Sequence, residues 1–207
     1  MLAAPPFTYG ETPVMVCQMS RKPEENELNM LQQKFESAQW TTIEGCNRDR
    51  WYIPDMKGCD PQFHKLAANI TDHVKQMVLH LHPRHIYITY SALKSAPLNS
   101  RRAYHTDYAL DYAAHEKPFS VIITFRDPSC VLYYKDVFKG MKSVRLTIPP
   151  YSFVRFMGDV QHCGGPNPLR RPVYRLFMYF TASPAHILPI NSFHLVGKKK
   201  QHDDNKK

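Results

Sequence analysis

The chain has 207 residues, of which 43% are hydrophobic, 12% aromatic and 22% charged: long enough for one substantial core and apolar enough to exclude wholesale disorder. It has no run of 18 apolar residues, and its opening Met1-Leu2-Ala3-Ala4-Pro5-Pro6 lacks the basic flank and apolar stretch of a secretory leader. This argues against a membrane or secreted protein and for a cytoplasmic or otherwise intracellular one. The 27 Lys+Arg against 18 Asp+Glu give a net charge of +9, of which residues 198–207 hold +3. The remaining basic body suits an anionic partner, either a small dicarboxylate or a nucleic-acid backbone. Five cysteines, Cys17, Cys46, Cys59, Cys130 and Cys163, are odd in number and without CxxC spacing, so they read as reduced thiols rather than a disulfide framework or a zinc site.

In chain order, two amphipathic helices come first. Leu28, Leu31, Phe35 and Ala38 recur at helical spacing between Glu24 and about Gln39, and Phe63, Leu66, Ala67, Ile70, Val74, Met77, Val78 and Leu81 do so between Asp60 and about Leu81. After Pro83 the period changes to short β-branched and aromatic runs: His85–Leu93, Arg102–Tyr108, Pro118–Phe125, Cys130–Lys135, Ser143–Ile148, Tyr151–Phe156, Val160–Cys163 and Val173–Thr181. Asp127-Pro128, Lys139-Gly140, Pro149-Pro150 and Gly164-Gly165-Pro166-Asn167 supply the turns. About eight strands without intervening helices predict a mainly β fold, a barrel or jelly roll, with the two N-terminal helices packed on one sheet. The expected organisation is one domain over 1–197, helical at 1–83 and jelly roll at 84–183, followed by a basic, disordered tail at 198–207.

The sharpest chemical feature is His105-Thr106-Asp107, because residues two apart on a strand point the same way and can grip one ion together. Chance alone supplies about one His-x-Asp/Glu in such a chain, and His202-Asp203-Asp204 looks like that accident. The context is stronger: His162 lies four predicted strands downstream, and a jelly roll can bring those strands face to face. Two imidazoles and one carboxylate leave three sites of an octahedral ion open, which suits non-haem Fe(II) binding a chelating co-substrate and dioxygen. Further on, Val173-Tyr174-Arg175-Leu176-Phe177 sets an arginine in an apolar strand, where burial is costly unless a partner satisfies it; a carboxylate fits its fork of donors.

The order His-x-Asp, then Gly158-Asp159-Val160-Gln161-His162, then Gly164-Gly165-Pro166-Asn167 and a strand-borne arginine resembles the Fe(II)- and 2-oxoglutarate-dependent dioxygenases over about Ile86 to Ala182. The resemblance implies a double-stranded β-helix, iron held by His105, Asp107 and His162, and Arg175 clamping the far carboxylate of 2-oxoglutarate, with ascorbate as an optional reductant. It implies a hydroxylase that releases succinate and carbon dioxide. Arg171 is the alternative clamp; Pro168 and Pro172 place it at a loop edge, which favours Arg175. Asp107 is present, so the halide-binding variant is not indicated. A second arginine after the first, expected in the DNA-alkylation-repair oxygenases, is absent.

Around this core, Tyr87, Thr89 and Thr124, together with Ser120 and Ile122, are candidates to line the co-substrate pocket. Tyr104, Tyr108, Tyr112 and Asn167 are candidates for the substrate entrance, as are the segments Ala109–Lys117 and Trp40–Tyr52. Each also has a plain structural reading, in core packing or, for Asn167, a turn cap. Cys163 reads as either an oxidation-sensitive thiol or a small core residue. His80, His82 and His85 form a rival cluster, but they straddle a helix end and Pro83 and fit helix-end histidines at the negative pole of the dipole. The compact chain suits a small molecule or an exposed side chain better than duplex DNA, with nucleic acid left open. The competing reading is a non-catalytic jelly-roll module that binds an anionic or sugar ligand with structural histidines.

Overall fold

Both helices form where the apolar spacing places them, and each starts at an acidic cap. The computed structural model describes residues 14–42, 50–53, 55–99, 104–108, 116–126, 130–136, 139–186 and 194–195; Tyr112 and the tail 198–207 lie outside them. Helix α1 is Glu25–Ser37, with the Glu27 carboxylate accepting from the Glu24 N–H at 2.8 Å, and α3 is Pro61–Leu81, with Asp60 accepting from the Phe63 N–H at 2.9 Å and proline in the first turn. Between them is a single turn, α2 (Met56–Cys59), capped by Asp55.

The strands are β1 (Val14–Gln18), β2 (Thr41–Thr42), β3 (Arg50–Ile53), β4 (Tyr87–Ser95), β5 (His105–Thr106), β6 (Phe119–Thr124), β7 (Cys130–Asp136), β8 (Lys142–Ile148), β9 (Ser152–Met157), β10 (His162–Gly164), β11 (Val173–Thr181) and β12 (His194–Leu195). They form a seven-stranded sheet ordered β1-β9-β6-β11-β4-β3-β2 and a five-stranded sheet ordered β12-β5-β10-β7-β8. Every pairing is antiparallel. Of the eight strands β4 to β11, β4, β6, β9 and β11 belong to the larger sheet and β5, β7, β8 and β10 to the smaller, the chain crossing between sheets at every step except the β7–β8 hairpin, which is the double-stranded β-helix. The sequence leaves out β1, β2, β3 and β12, short strands whose own pattern is weak and which exist through pairing: β1 with β9, β3 with β4, β2 with β3, and β12 with β5.

The larger sheet has two different faces. One packs Tyr90, Ala92, Phe119, Val121, Ile123, Leu176, Met178 and Phe180 against Leu28, Leu31 and Phe35 of α1 and Phe63, Ala67, Ile70, Val74 and Val78 of α3. Each of the Val, Leu, Ile, Phe and Met side chains among these contributes about 1.5–3 kcal/mol on burial. The other face meets the smaller sheet through Ile122, Leu132, Ile148, Val154, Phe156 and Val160. That apolar layer fills one part of the space between the sheets and leaves a cavity in the rest.

Candidate metal centre

The site begins with a strand pairing. In the antiparallel β10–β5 ladder His162 lies directly opposite His105, and Asp107 follows His105 by two residues, so all three side chains project into the space between the sheets. His105 is 6%, Asp107 4% and His162 3% exposed. Asp107 Oδ1 stands 3.7 Å from His105 Nε2 and 3.6 Å from His162 Nε2, and the three donor atoms lie within 4.8 Å of one another.

Surrounding groups orient these donors. The His162 ring nitrogen Nδ1 lies 2.9 Å from the Val160 carbonyl, so it donates its proton there and leaves the Nε2 lone pair facing Asp107. Ser120, fully buried on β6, donates to Asp107 Oδ2 at 2.5 Å. The backbone N–H groups of Asp107 and Tyr108 both donate to the Gly158 carbonyl at 3.1 Å, while the Gly158 N–H donates to Pro118 O at 2.8 Å. Gly158 has to be glycine: an added Cβ would sit 2.3 Å from Tyr108 Cδ2. Next to it, Asp159 pairs with Lys117 at 2.5 Å and holds the same turn. The donor set, two imidazoles and one carboxylate, all buried, fits a first-row divalent metal.

The cavity beside these donors is lined from the larger sheet by Arg175, Phe177 and Tyr179 of β11, Ser91 and Leu93 of β4, Arg50 and Tyr52 of β3, and Ile122 of β6. Arg175 is 3% exposed; its Nη1 donates to Ser95 Oγ at 3.4 Å, and its Nε and Nη2 have no hydrogen-bond partner among the described residues. A buried guanidinium with two idle donors on a cavity wall is costly unless an anion enters. Arg171, by contrast, is exposed at the loop edge, where its carbonyl accepts from Asn167.

Several other candidates have different duties. Tyr87 and Thr89 share the cavity face of β4 but are not part of the lining, and Thr124 turns its hydroxyl to the carbonyls of Pro149 and Ser152, at 2.6 and 3.0 Å. Asn167 is fully buried and organises its loop: its N–H donates to Asn99, its amide to Ala96 O and Arg171 O, and its Oδ1 accepts from Leu169 N–H. Tyr108, 1% exposed, packs beneath the donors against Gly158 and edge-on to Tyr179 rather than framing an entrance. Tyr104 lies under the Lys135 ammonium and bonds to Ser143. Trp40 stacks on Phe35 at the helix side of the sheet, away from the cavity. Cys163 is fully buried.

The rival histidines do not form a metal site. Arg155 Nη1 bonds to His82 Nε2, His85 Nε2 donates to the Lys117 carbonyl at 3.0 Å, and both rings lie on Phe119. Burial first, then the neighbouring Arg155 and His85, push the His82 pKa down to about 4. A guanidinium, rather than the helix dipole, is thus what His82 answers to. Conversely, sequence reasoning missed Arg50 as an individual residue. It is 3% exposed and donates to Gly165 O at 2.9 Å. Its signal was an arginine in the aromatic run Arg50-Trp51-Tyr52-Ile53, the same sign that marked Arg175.

No family model matches the sequence, and no curated protein matches it. Solved structures do resemble it. EvdO2 from Micromonospora carbonacea var. aurantiaca, complexed with 2-oxoglutarate, has a TM-score of 0.60 at 14% identity, covering 84% of this chain and 88% of that one. The non-heme alpha ketoglutarate dependent carbocyclase SnoK from nogalamycin biosynthesis has a TM-score of 0.62 at 13% identity, covering 84% and 81%. A Pseudomonas putida prolyl-4-hydroxylase has a TM-score of 0.58 at 11% identity, covering 82% and 92%. The likeness is one of fold: the chain has the double-stranded β-helix found in 2-oxoglutarate-dependent oxygenases.

Proposed function

We propose that this protein is an Fe(II)- and 2-oxoglutarate-dependent oxygenase that hydroxylates a carbon centre of a small molecule or an exposed side chain. The observation that carries the reading is the convergence of His105, Asp107 and His162 on a cavity that also exposes the idle donors of Arg175. Iron with 2-oxoglutarate and dioxygen supplies an oxidant that breaks a C–H bond and inserts one oxygen atom, the other leaving in succinate with release of carbon dioxide.

The chain's own part is positioning and electrostatics. His105, Asp107 and His162 hold the metal by three donors and leave the cavity side open. Arg175 takes the far carboxylate of the co-substrate bidentately. Spacing supports this: Tyr179 lies opposite Ser120, the partner of Asp107, and Arg175 is four residues earlier on β11, about 13 Å at 3.3 Å per residue. An arginine side chain and a five-carbon diacid placed end to end span that interval. Leu93, Ile122 and Phe177 give the middle of the cavity an apolar wall, which keeps water out and strengthens the charge pair. The neighbouring folds include a carbocyclase and a hydroxylase, so hydroxylation is the simplest member of the set rather than a consequence of the fold. Residues 1–197 act as one domain in this reading. No described helix is long and apolar enough to cross a membrane.

The test is titration of 2-oxoglutarate into the iron-loaded protein without oxygen, read by the metal-to-ligand absorption band, followed by succinate formation in air. Arg175→Gln is expected to lower 2-oxoglutarate affinity by roughly a hundredfold or more while leaving metal binding nearly unchanged, and Arg171→Gln to stay near wild type. Failure of the wild-type protein to bind iron would favour a non-catalytic binding module; loss of binding in Arg171→Gln alone would move the clamp to that residue.

A further inference from the structure

We infer that Ser120 is a positioning residue that makes Asp107 a one-oxygen metal ligand and so preserves three open coordination positions; this rests on the iron reading above. A carboxylate has two donor oxygens and binds metals through either one or both. In this structure the two are differentiated. Oδ1 faces His105 Nε2 and His162 Nε2, whereas Oδ2 accepts the Ser120 hydroxyl at 2.5 Å. The hydroxyl is carried by a rigid element, since Ser120 is fully buried on β6 and pairs with Tyr179 of β11 on one side and Phe156 of β9 on the other. The Asp107 main chain is anchored independently, through its N–H to the Gly158 carbonyl.

The consequence is arithmetic of coordination. Six positions less three protein donors leave three, which a chelating 2-oxo acid and dioxygen fill. With Oδ2 released, the carboxylate can swing to grip the metal with both oxygens, and only two positions remain. The hydroxyl also compensates the buried negative charge by a charge-assisted hydrogen bond, so its loss leaves Oδ2 either unsatisfied or on the metal.

Cobalt(II) is the probe, because its visible absorption reports coordination number without turnover. Ser120→Ala and the similarly shaped Ser120→Cys, whose thiol is a weak donor, are expected to give an altered Co(II) visible spectrum, that of a metal with one more carboxylate oxygen than in wild type. Ser120→Thr, which keeps a hydroxyl, is expected to restore the wild-type spectrum. Circular dichroism checks that each variant is folded, and the cysteine variant guards against a packing loss in alanine. A wild-type spectrum in both Ser120→Ala and Ser120→Cys overturns the inference while leaving the iron reading intact. A wild-type protein that takes up no cobalt sinks the iron reading, and this inference with it.

Discussion

Replacing Gly158 by alanine strikes the joint between fold and site. The new Cβ would lie 2.3 Å from Tyr108 Cδ2, 2.9 Å from Tyr108 Cγ and 3.1 Å from the Pro118 carbonyl. The ring cannot yield freely, since Tyr108 is 1% exposed and packs against Tyr179. Either Tyr108 or the turn has to move, and both are tied to Asp107 through the Gly158 carbonyl. Overpacking of this kind costs about 1–3 kcal/mol, offset by about 0.4–1 kcal/mol from the stiffer unfolded chain. The midpoints of these ranges leave a net loss of about 1.3 kcal/mol, a fall in Tm of roughly 3–5 °C for a chain of this size. Calorimetry or a circular-dichroism melt measures the fall, and a Co(II) titration of the same sample should show weaker binding as Asp107 is displaced. Pairing Gly158→Ala with Tyr108→Leu removes the obstructing ring, so the double variant should cost less than the sum of the singles by at least about 0.5 kcal/mol. An unchanged melt for Gly158→Ala, or strict additivity in the double variant, would refute the argument that Tyr108 is what requires glycine.

Two further outcomes follow from polar groups outside the metal donors. His82 is held neutral, with its pKa lowered to about 4 against an ordinary 6.5; the unfolded chain therefore binds more protons between those values, and the stability from this group is full above about pH 6.5 and is lost as pH falls toward 4. His82→Gln, which still offers Arg155 an acceptor, should flatten the dependence of denaturant midpoint on pH in that window; an unchanged slope would exclude His82 as its source. Asn167→Ala removes hydrogen bonds to Ala96 O, Arg171 O and Leu169 N–H from a fully buried position, so it should cost about 2–4 kcal/mol in a denaturant titration while leaving Co(II) affinity of the folded protein close to wild type. Loss of metal binding without loss of stability would instead make Asn167 part of the site.

The sequence alone carried the eight core strands and the two long helices because each announces itself locally: β-branched runs between turn residues, and apolar stripes such as Leu28-Leu31-Phe35 at helical spacing. It nominated His105, Asp107, His162 and Arg175 for the same reason, since a polar residue at an inward strand position is visible against its neighbours. The short strands β1, β2 and β3 were not legible, because runs such as Val14–Gln18 become strands only through a partner far along the chain. The same dependence on distant partners decided the finer chemistry. Ser120 and Thr124 lie on one strand four residues apart, yet one hydroxyl serves Asp107 and the other serves the Pro149–Ser152 turn. Gly158 stands out in the sequence only as the start of the Gly158-Asp159-Val160-Gln161-His162 run; that it has to be glycine is decided by Tyr108 packed over it. Arg50 joins the cavity only because β3 pairs beside β4 and carries its guanidinium to Gly165. Periodicity specifies which face a residue takes within its own element; what that face meets is set by partners from thirteen to more than a hundred residues away along the chain, which no local pattern encodes.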